Sequence, residues 1–253
     1  MTIRTVNTNG VAVIEIARPE KKNALTQAMY TAMAEAIAAA DADAAIRAVL
    51  ITGQPGIFTS GNDLEDFMTR PPQGEDSPVF HFMKALAECG KPVVAAVTGG
   101  AIGIGTTMLL HCDLVYVSDE ARLAMPFVGL GLVPEYASSL LVTQRVGHAK
   151  ATELLLLGEP FNGEAAVEMG IANAVLPAAE VVNHARRMAE RFNALPPGAV
   201  RESKALMRLA QKSLVEETIR TEAEIFARRL RSPEATEAFQ AFFQKRKPDF
   251  SKF

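Results

Sequence analysis

The sequence predicts an α/β core followed by an α-helical C-terminal region. Short apolar, β-leaning runs alternate with amphipathic helical patterns as far as Leu176, and only helical patterns follow. With 253 residues, 49% of them apolar, the chain can form one large domain or a domain with an appendage. We place the boundary at Pro196-Pro197, which gives a core over residues 1–195 and a helical region over residues 196–253.

Composition narrows the possible partners and compartments. The net charge of −3 gives no electrostatic reason to expect nucleic acid or an anionic membrane. Cys89 and Cys112 lie in apolar helical contexts without a pairing pattern, which favours a reducing compartment. No run of about 18 uncharged apolar residues and no signal-peptide core is present. We therefore expect a cytoplasmic protein, and we treat the C-terminal Ser251-Lys-Phe253 as unrelated to a peroxisomal address.

The first part of the chain predicts a hairpin, a helix and a buried strand. Asn9-Gly10 is a hairpin-turn signal ahead of an alternating run. Thr26 can cap a helix that runs to about Ala40, with Met29 on its apolar face. Residues 48–52 are a continuous apolar strand pattern, and residues 53–61 are predicted to form a loop.

The next segment predicts a short helix, a breaker-rich loop and a second strand. Asp63 is placed to cap residues 64–68. Residues 70–77, with the sequence RPPQGEDS, predict a mobile loop. A helix follows over residues 78–88, and residues 92–97 predict a buried strand.

The remainder predicts two short strands and then helices. The strands are predicted at 114–117 and 122–125. A segment interrupted by glycines follows at 126–134, and a helix begins near Ala137. Further helices are predicted over 149–157, 164–169, 178–193 and from Pro197 to about residue 245. The apolar stripe in the last part needs a partner surface, which favours self-association; it consists of Ile219, Ala223, Phe226 and Leu230.

A glycine-rich loop between a strand and a helical pattern is the chemically most informative stretch. Residues 99–113 read GGAIGIGTTMLLHCD, with the helical pattern starting at Thr106. The lysine of a phosphate-binding P-loop is replaced by Thr106, and Met108 occupies the last glycine position of a dinucleotide fingerprint. Two interpretations remain: a tight turn where a helix packs on a strand, or an oxyanion hole made with loop N–H groups.

Motifs spread along the chain resemble those of the crotonase superfamily, the enoyl-CoA hydratases and isomerases. The three main stretches are Lys21-Lys-Asn-Ala-Leu25, Ile57-Phe-Thr-Ser-Gly-Asn-Asp-Leu64, and Ala96-Val-Thr-Gly-Gly-Ala-Ile-Gly-Ile-Gly105 with Cys112-Asp113 after it. The similarity continues through residues 130–134, 158–160 and 165–171 to the C-terminal helices, so it covers essentially the whole chain.

The resemblance implies a spiral of ββα units with C-terminal helices that assemble a homotrimer or hexamer. It also implies an acyl-CoA thioester as substrate, with coenzyme A as part of the substrate and no separate cofactor. The backbone N–H groups of Asn62 and Ile104 would form the oxyanion hole. The implied substrate-binding residues are Lys22, Ala24, Ser60, Gly61, Asn62, Asp63, Leu64, Gly103, Thr107 and Phe127.

The acids and bases decide which reaction the resemblance implies. Hydratases of the family use two glutamates, and this chain has Thr107 and Phe127 at the matching positions. Glu135 stands where peroxisomal-type Δ3,Δ2-enoyl-CoA isomerases carry a glutamate. One carboxylate can take a proton from C2 and return it at C4. If its pocket is apolar, burial should raise the pKa of Glu135; alternatively, Glu135 only caps the helix near Ala137.

The sequence leaves other interpretations open. Glu135 could attack an acyl or aryl carbon or activate water, as in hydrolases and dehalogenases, or the protein could bind acyl-CoA without turnover. Arg18, Lys21 and Lys22 could meet CoA phosphates or form a solvated charged loop, and Phe67 and Met68 could line the acyl tunnel or only pack.

No metal site is expected, because the histidines at 81, 111, 148 and 184 lack ligand spacing. Ser138-Ser139 has no matching histidine and aspartate pattern for a nucleophile.

Overall fold

A computed structural model describes residues 2–72 and 74–253. The strands of this part of the chain are β1 (Ile3–Thr8), β2 (Val11–Ile16), β3 (Ala48–Thr52), β4 (Ile57–Thr59), β5 (Val93–Val97), β6 (Gly100–Ile102), β7 (Leu114–Ser118), β8 (Arg122–Ala124), β9 (Phe161–Asn162) and β10 (Ala174–Leu176). The helices are α1 (Gln27–Ala42), α2 (Leu64–Thr69), α3 (Pro78–Glu88), α4 (Ile104–Thr107), α5 (Ser138–Leu155), α6 (Gly163–Glu168), α7 (Val181–Glu190), α8 (Pro197–Leu209), α9 (Lys212–Arg229) and α10 (Pro233–Phe243).

The strands form two sheets of unequal size. The larger sheet has the order β1-β2-β3-β5-β7-β10, in which β1 and β2 form an antiparallel hairpin and the other neighbours are parallel. The smaller sheet has the order β4-β6-β8-β9, with only β8 and β9 antiparallel. The predicted α/β class is confirmed, and successive ββ steps separated by helices give the spiral that the resemblance implied.

The central strands β3 and β5 of the larger sheet are buried on both faces, which explains their continuous apolar sequences. In β5, Val93, Ala95 and Val97 face the main core, whereas Val94 and Ala96 face a second cluster. Helices α1 and α3 contribute to the main core, and α7 covers the other face with an alanine-rich stripe. The alternation of side chains along a strand therefore serves two hydrophobic layers.

Several predicted boundaries are confirmed. Thr26 caps α1 by accepting a hydrogen bond from Met29 N, and Asp63 caps α2 by accepting one from Asp66 N. Asn9 and Gly10 lie at positive φ in the hairpin between β1 and β2. The helix predicted near Ala137 begins one residue later and is interrupted at Gly147, where the backbone is not helical.

Two predictions around the glycine loop are wrong. Residues 53–61, predicted as loop, contain β4, which pairs with β6. The helix predicted over 106–112 is the single turn α4 followed by a 3₁₀ turn over Met108–His111. In the predicted loop 70–77, the structure has a 3₁₀ turn at Gly74–Asp76, and Gln73 lies outside the described residues.

The C-terminal helices pack on the core of the same chain. Lys204 and Arg208, one turn apart on α8, both form salt bridges with Asp113 at 2.6 and 3.0 Å. Ile219 and Phe226 of α9 are buried against the main core. The stripe predicted to need a partner molecule is therefore covered largely within the chain, because α9 lies over the loop before α5 and the turn at 74–76.

Within residues 2–72 and 74–253, no helix has the length and apolar character needed to cross a bilayer. The same part of the chain contains no cluster of side chains suited to holding a metal ion. Cys89 and Cys112 are both free thiols.

Candidate active site

The candidate site is built at the carboxyl ends of two adjacent parallel strands. Gly61 follows β4 at φ 92°, and Gly103 follows β6 at φ 58°, a region that residues with a Cβ rarely adopt. A Cβ on Gly61 would lie 2.8 Å from the carbonyl oxygen of Ile102. Glycine is needed at Gly61 for both conformation and space, and the two turns lie side by side as a result.

Each of these turns leads into a residue whose backbone N–H has no backbone hydrogen-bond partner among the described residues. In the described residues, no backbone hydrogen bond takes up the N–H of Asn62, and Ile104 is the first residue of α4, where the N–H has no intrahelical partner. The peptide carbonyls behind them are occupied: Gly61 O accepts from Leu25 N at 2.8 Å, and Gly103 O accepts from the amides of α4. Such bonds polarise the two amides and favour binding of an anionic oxygen.

The segment Lys22–Leu25 runs beside the first turn. Ser60 N donates to Lys22 O at 3.1 Å, and Leu25 forms a parallel bridge with Asn62. The two stretches that the sequence assigned to substrate binding are thus adjacent. Lys21 and Lys22 are exposed there.

Arg18 contacts groups of the protein itself. Its Nη1 forms a 2.6 Å salt bridge with Asp63 Oδ2 and donates to Ala24 O at 2.9 Å. The pKa of Asp63 is lowered, chiefly by its hydrogen bond with Arg18, against the opposing effect of burial. Asp63 and Ala24 were predicted to contact substrate. Through Arg18 they also connect the segment Lys22–Leu25 to the start of α2.

Glu135 is the buried acid of the site. It is 3% exposed, and burial, followed by the negative charge of Glu222, raises its pKa from 4.5 to about 8. The Asn62 side-chain amide donates to Glu135 Oε1 at 3.4 Å and opposes this rise. The structure thus places Glu135 in the expected apolar environment, and this burial raises its pKa in the expected direction.

The side-chain amide of Asn62 is held on both sides. Its oxygen accepts a hydrogen bond from the hydroxyl of Tyr30, a fully buried residue of α1. Asn62 thus has a backbone N–H that no backbone group of the described residues takes up and a side-chain amide in contact with the buried acid. The sequence did not predict these contacts of the Asn62 side-chain amide. It also missed Tyr30, because a tyrosine within a helical apolar stripe is indistinguishable from a core residue.

An apolar cavity borders Glu135 and extends below α9. Phe67 lines it and is buried, whereas Met68 is 50% exposed and is absent from its lining. The other principal lining residues are Phe80, Met83, Tyr136, Ile219 and Phe226. The C-terminal region therefore contributes to the site, a role that the sequence did not predict.

No acid lies at the two positions where hydratases of the family carry glutamates. Thr107 is fully buried, and its hydroxyl has no hydrogen-bond partner among the described residues. Phe127 is buried, and its Cε1 lies 3.7 Å from where a Cβ on Gly103 would be. Gly103 therefore lies beside an aromatic ring and a hydroxyl, and Glu135 is the carboxyl that borders the cavity.

The protein has a layered α/β fold, and its site combines two polarised amides with a buried acid beside an apolar cavity. These features are typical of a class of enzyme that stabilises an anionic carbonyl oxygen. The family model described as enoyl-CoA hydratase/isomerase matches residues 6–252. The chain belongs to this family, and so to the crotonase superfamily. Membership implies an acyl-CoA thioester substrate and activity of the hydratase/isomerase type.

Individual relatives span both named activities. The chain is 30% identical over 246 residues to "Probable enoyl-CoA hydratase" of Bacillus subtilis, covering 95% of each chain. It is 32% identical over 252 residues to "Enoyl-CoA delta isomerase 2" of Homo sapiens, covering 97% of this chain and 64% of the longer human protein. The solved structure of Pseudomonas aeruginosa OdaA shares 55% identity and a TM-score of 0.94, covering 95% of this chain and 98% of that one.

Proposed function

We propose that the protein is an isomerase that converts 3-enoyl-CoA esters to 2-trans-enoyl-CoA esters. The observation that carries this proposal is the buried carboxyl of Glu135, which borders the apolar cavity and accepts a hydrogen bond from the Asn62 amide. The human relative named as a delta isomerase is consistent with it. The reaction is redox-neutral, so coenzyme A enters only as part of the substrate.

The proposed reaction has two proton transfers. The Glu135 carboxylate removes a proton from C2, and the electron pair moves into a dienolate whose oxygen is held by the N–H groups of Asn62 and Ile104. The protonated Glu135 then returns the proton at C4, and the double bond is left between C2 and C3. An acid whose pKa is near the working pH serves both steps well.

Hydration is the second candidate, because the Bacillus relative carries that name. Adding water needs a group that holds the water and one that deprotonates it. Thr107 and Phe127 supply no carboxylate for this purpose, and Glu135 is the carboxyl among the described residues that line the cavity. Isomerisation needs only the one acid and is favoured for that reason.

The test compares wild-type and Glu135→Gln proteins with 3-hexenoyl-CoA, following the absorbance of the conjugated thioester. We expect the rate to fall by at least about 10²-fold, because loss of a general base typically costs 10²–10⁴. Glu120→Gln, which changes an exposed glutamate, is the matched control and should leave the rate unchanged.

Two results would overturn the proposal. One is undiminished isomerisation by the Glu135→Gln protein. The other is a wild-type protein that hydrates 2-enoyl-CoA readily but does not shift the double bond of 3-hexenoyl-CoA. Loss of C2 deuterium exchange in the variant would separately establish that Glu135 acts at C2.

A further inference from the structure

A second buried carboxyl lies next to the candidate base and belongs to the C-terminal region. Glu222 of α9 is 6% exposed. One of its oxygens accepts a hydrogen bond from Ala137 N, and the other accepts from Ser139 N at 3.0 Å and from the Ser139 hydroxyl. Every donor lies within four residues of Glu135.

The turn that donates these hydrogen bonds is conformationally unfavourable. Tyr136 and Ala137 follow Glu135 with φ of 65° and 54°, two consecutive non-glycine residues in the left-handed region. Ala137 is also the N-cap of α5 and has no side chain that can cap it. Glu222 supplies the missing acceptor from another helix.

Two further elements hold the same turn. The Tyr136 hydroxyl donates to Met83 O of α3 at 2.8 Å, and Tyr136 O lies 2.8 Å from His111 Nε2. The His111 ring stacks on Tyr136 and stays neutral, because burial lowers its pKa to about 3. The position of Glu135 is therefore fixed from several directions, but only Glu222 brings a carboxyl.

We propose that Glu222 is a positioning residue: from α9 it fixes the left-handed turn that carries Glu135 and places a second carboxyl beside it. The C-terminal region thereby controls both the position of the base and its proton affinity. This inference rests on the proposed function only where its readout is isomerisation.

The charges around Glu135 and Glu222 support the proposal that Glu222 raises the proton affinity of Glu135. The negative charge of Glu222 contributes to the raised pKa of Glu135, and burial raises the pKa of Glu222 itself to about 7. Facing groups on other elements are uncharged: Tyr30 on α1, the Asn62 amide, and Ser139 on α5. Among the described residues, no lysine or arginine forms a salt bridge with either carboxyl.

A direct catalytic role for Glu222 is disfavoured. Its two oxygens receive three hydrogen bonds from the chain, and Glu222 is not among the residues that line the cavity, whereas Glu135 is. It acts through Glu135.

The main experiment measures the protonation of Glu135 directly. The infrared band of the protonated carboxyl is followed against pH in wild-type and Glu222→Gln proteins and assigned by its loss in Glu135→Gln. Removing a neighbouring like charge should move the midpoint to lower pH by about one unit. The kcat of Glu222→Gln should fall about tenfold with little change in KM, because the turn loses its anchor. Glu224→Gln, an exposed site on the same helix, should change neither.

A reciprocal measurement covers the case in which Glu222→Gln does not fold. Coupling between two sites is mutual, so the Glu222 band should titrate at lower pH in Glu135→Gln than in the wild type. In Glu222→Asp, which keeps the charge but shortens its reach, the kcat should fall while the midpoint of Glu135 stays high.

Unchanged carboxyl titrations in both Glu222→Gln and Glu135→Gln would overturn the inference. So would a Glu222→Asp protein with wild-type kcat. Because the infrared readout needs no turnover, a wild type that fails to isomerise 3-hexenoyl-CoA would refute the proposed function and leave the titration result to decide this inference.

Discussion

Asn62 combines a backbone N–H that no backbone group of the described residues takes up with a side-chain amide that donates to Glu135. The two contributions can be separated by mutation, because a side-chain substitution leaves the backbone donor in place. In the proposed function, Asn62 is therefore the residue that links the oxyanion hole to the base.

Asn62→Ala should therefore retain acyl-CoA binding and lose reactivity. The Asn62 amide lowers the pKa of Glu135, so its removal should shift the rising limb of kcat/KM to higher pH. We expect kcat at neutral pH to fall about tenfold, as a lost hydrogen bond to a charged group would produce. Steady-state kinetics across pH with 3-hexenoyl-CoA measure both effects. Tyr30→Phe should change the profile in the same direction but less, and an unchanged profile in Asn62→Ala would contradict the assignment.

The raised pKa of Glu135 also has a consequence for folding stability. Between its ordinary value of 4.5 and about 8, the folded protein keeps a proton that the unfolded chain releases. The stabilising effect of this protonation is fully present below pH 4.5 and is lost as the pH rises to about 8.

Glu135→Gln should accordingly be more stable than wild type at pH 9, by on the order of a few kcal/mol, and equal to it at pH 4. Urea unfolding at the two pH values measures the difference. A variant whose stability tracks that of the wild type at both pH values would show that the buried carboxyl is solvated in the folded protein.

At the scale of elements, the turn after β4 is the most constrained part of the site. Gly61→Ala would place a Cβ at φ 92° and 2.8 Å from Ile102 O, a backbone atom that cannot move without disturbing β6. We expect a loss of about 2 kcal/mol in the free energy of unfolding and at least a 10²-fold loss of activity. Thermal unfolding and the isomerase assay measure these effects.

Gly129→Ala is the matched control for this change. Gly129 lies in a 3₁₀ turn, and a Cβ there would have no heavy atom within 4 Å. Equal effects of the two substitutions would show that Gly61 matters through chain flexibility and not through the geometry of its turn.

Elements whose sequence signals lie within the element itself could be predicted, and elements that depend on distant pairing could not. The strand at Ala48–Thr52 and the helix at Pro78–Glu88 were predicted with their observed bounds, because continuous apolar runs and a proline at the helix start are local signals. Strand β4 was missed because three residues in a glycine-rich loop become a strand only through pairing with β6.

The candidate site was predicted unevenly for the same reason. The resemblance directed attention to Asn62, Ile104 and Glu135, and the structure brings Asn62 next to Glu135. Glu222 gave no signal, because a glutamate on an amphipathic helix normally faces solvent. Its role depends on how α9 folds over the turn before α5, which no local pattern encodes.

At the scale of the whole molecule, the C-terminal region has a second apolar surface. With Ile219 and Phe226 buried inside the chain, the exposed apolar side chains of α8 remain: Leu206, Met207 and Leu209, which are 69%, 85% and 68% exposed. Patches of this kind mark interaction sites in soluble proteins. We still expect the homotrimer or hexamer that the resemblance implied, now through this surface.

Met207→Glu should weaken that assembly. Light scattering should give the wild type a mass of at least three times the 27.2 kDa chain, and the variant a lower mass at the same concentration. Val6→Glu, at an exposed position on the edge strand β1, is the control and should keep the wild-type mass. A wild-type protein that is monomeric at all concentrations would refute the expectation.

The two free amides of Asn62 and Ile104 have a consequence for how such a scaffold diversifies. Main-chain donors persist whatever side chains those positions acquire, so in the proposed reaction the groups that bind the anionic oxygen would be inherited with the fold. New reactions then require only a different arrangement of acids around these fixed amides. A single carboxyl, such as that of Glu135, is enough to change the reaction.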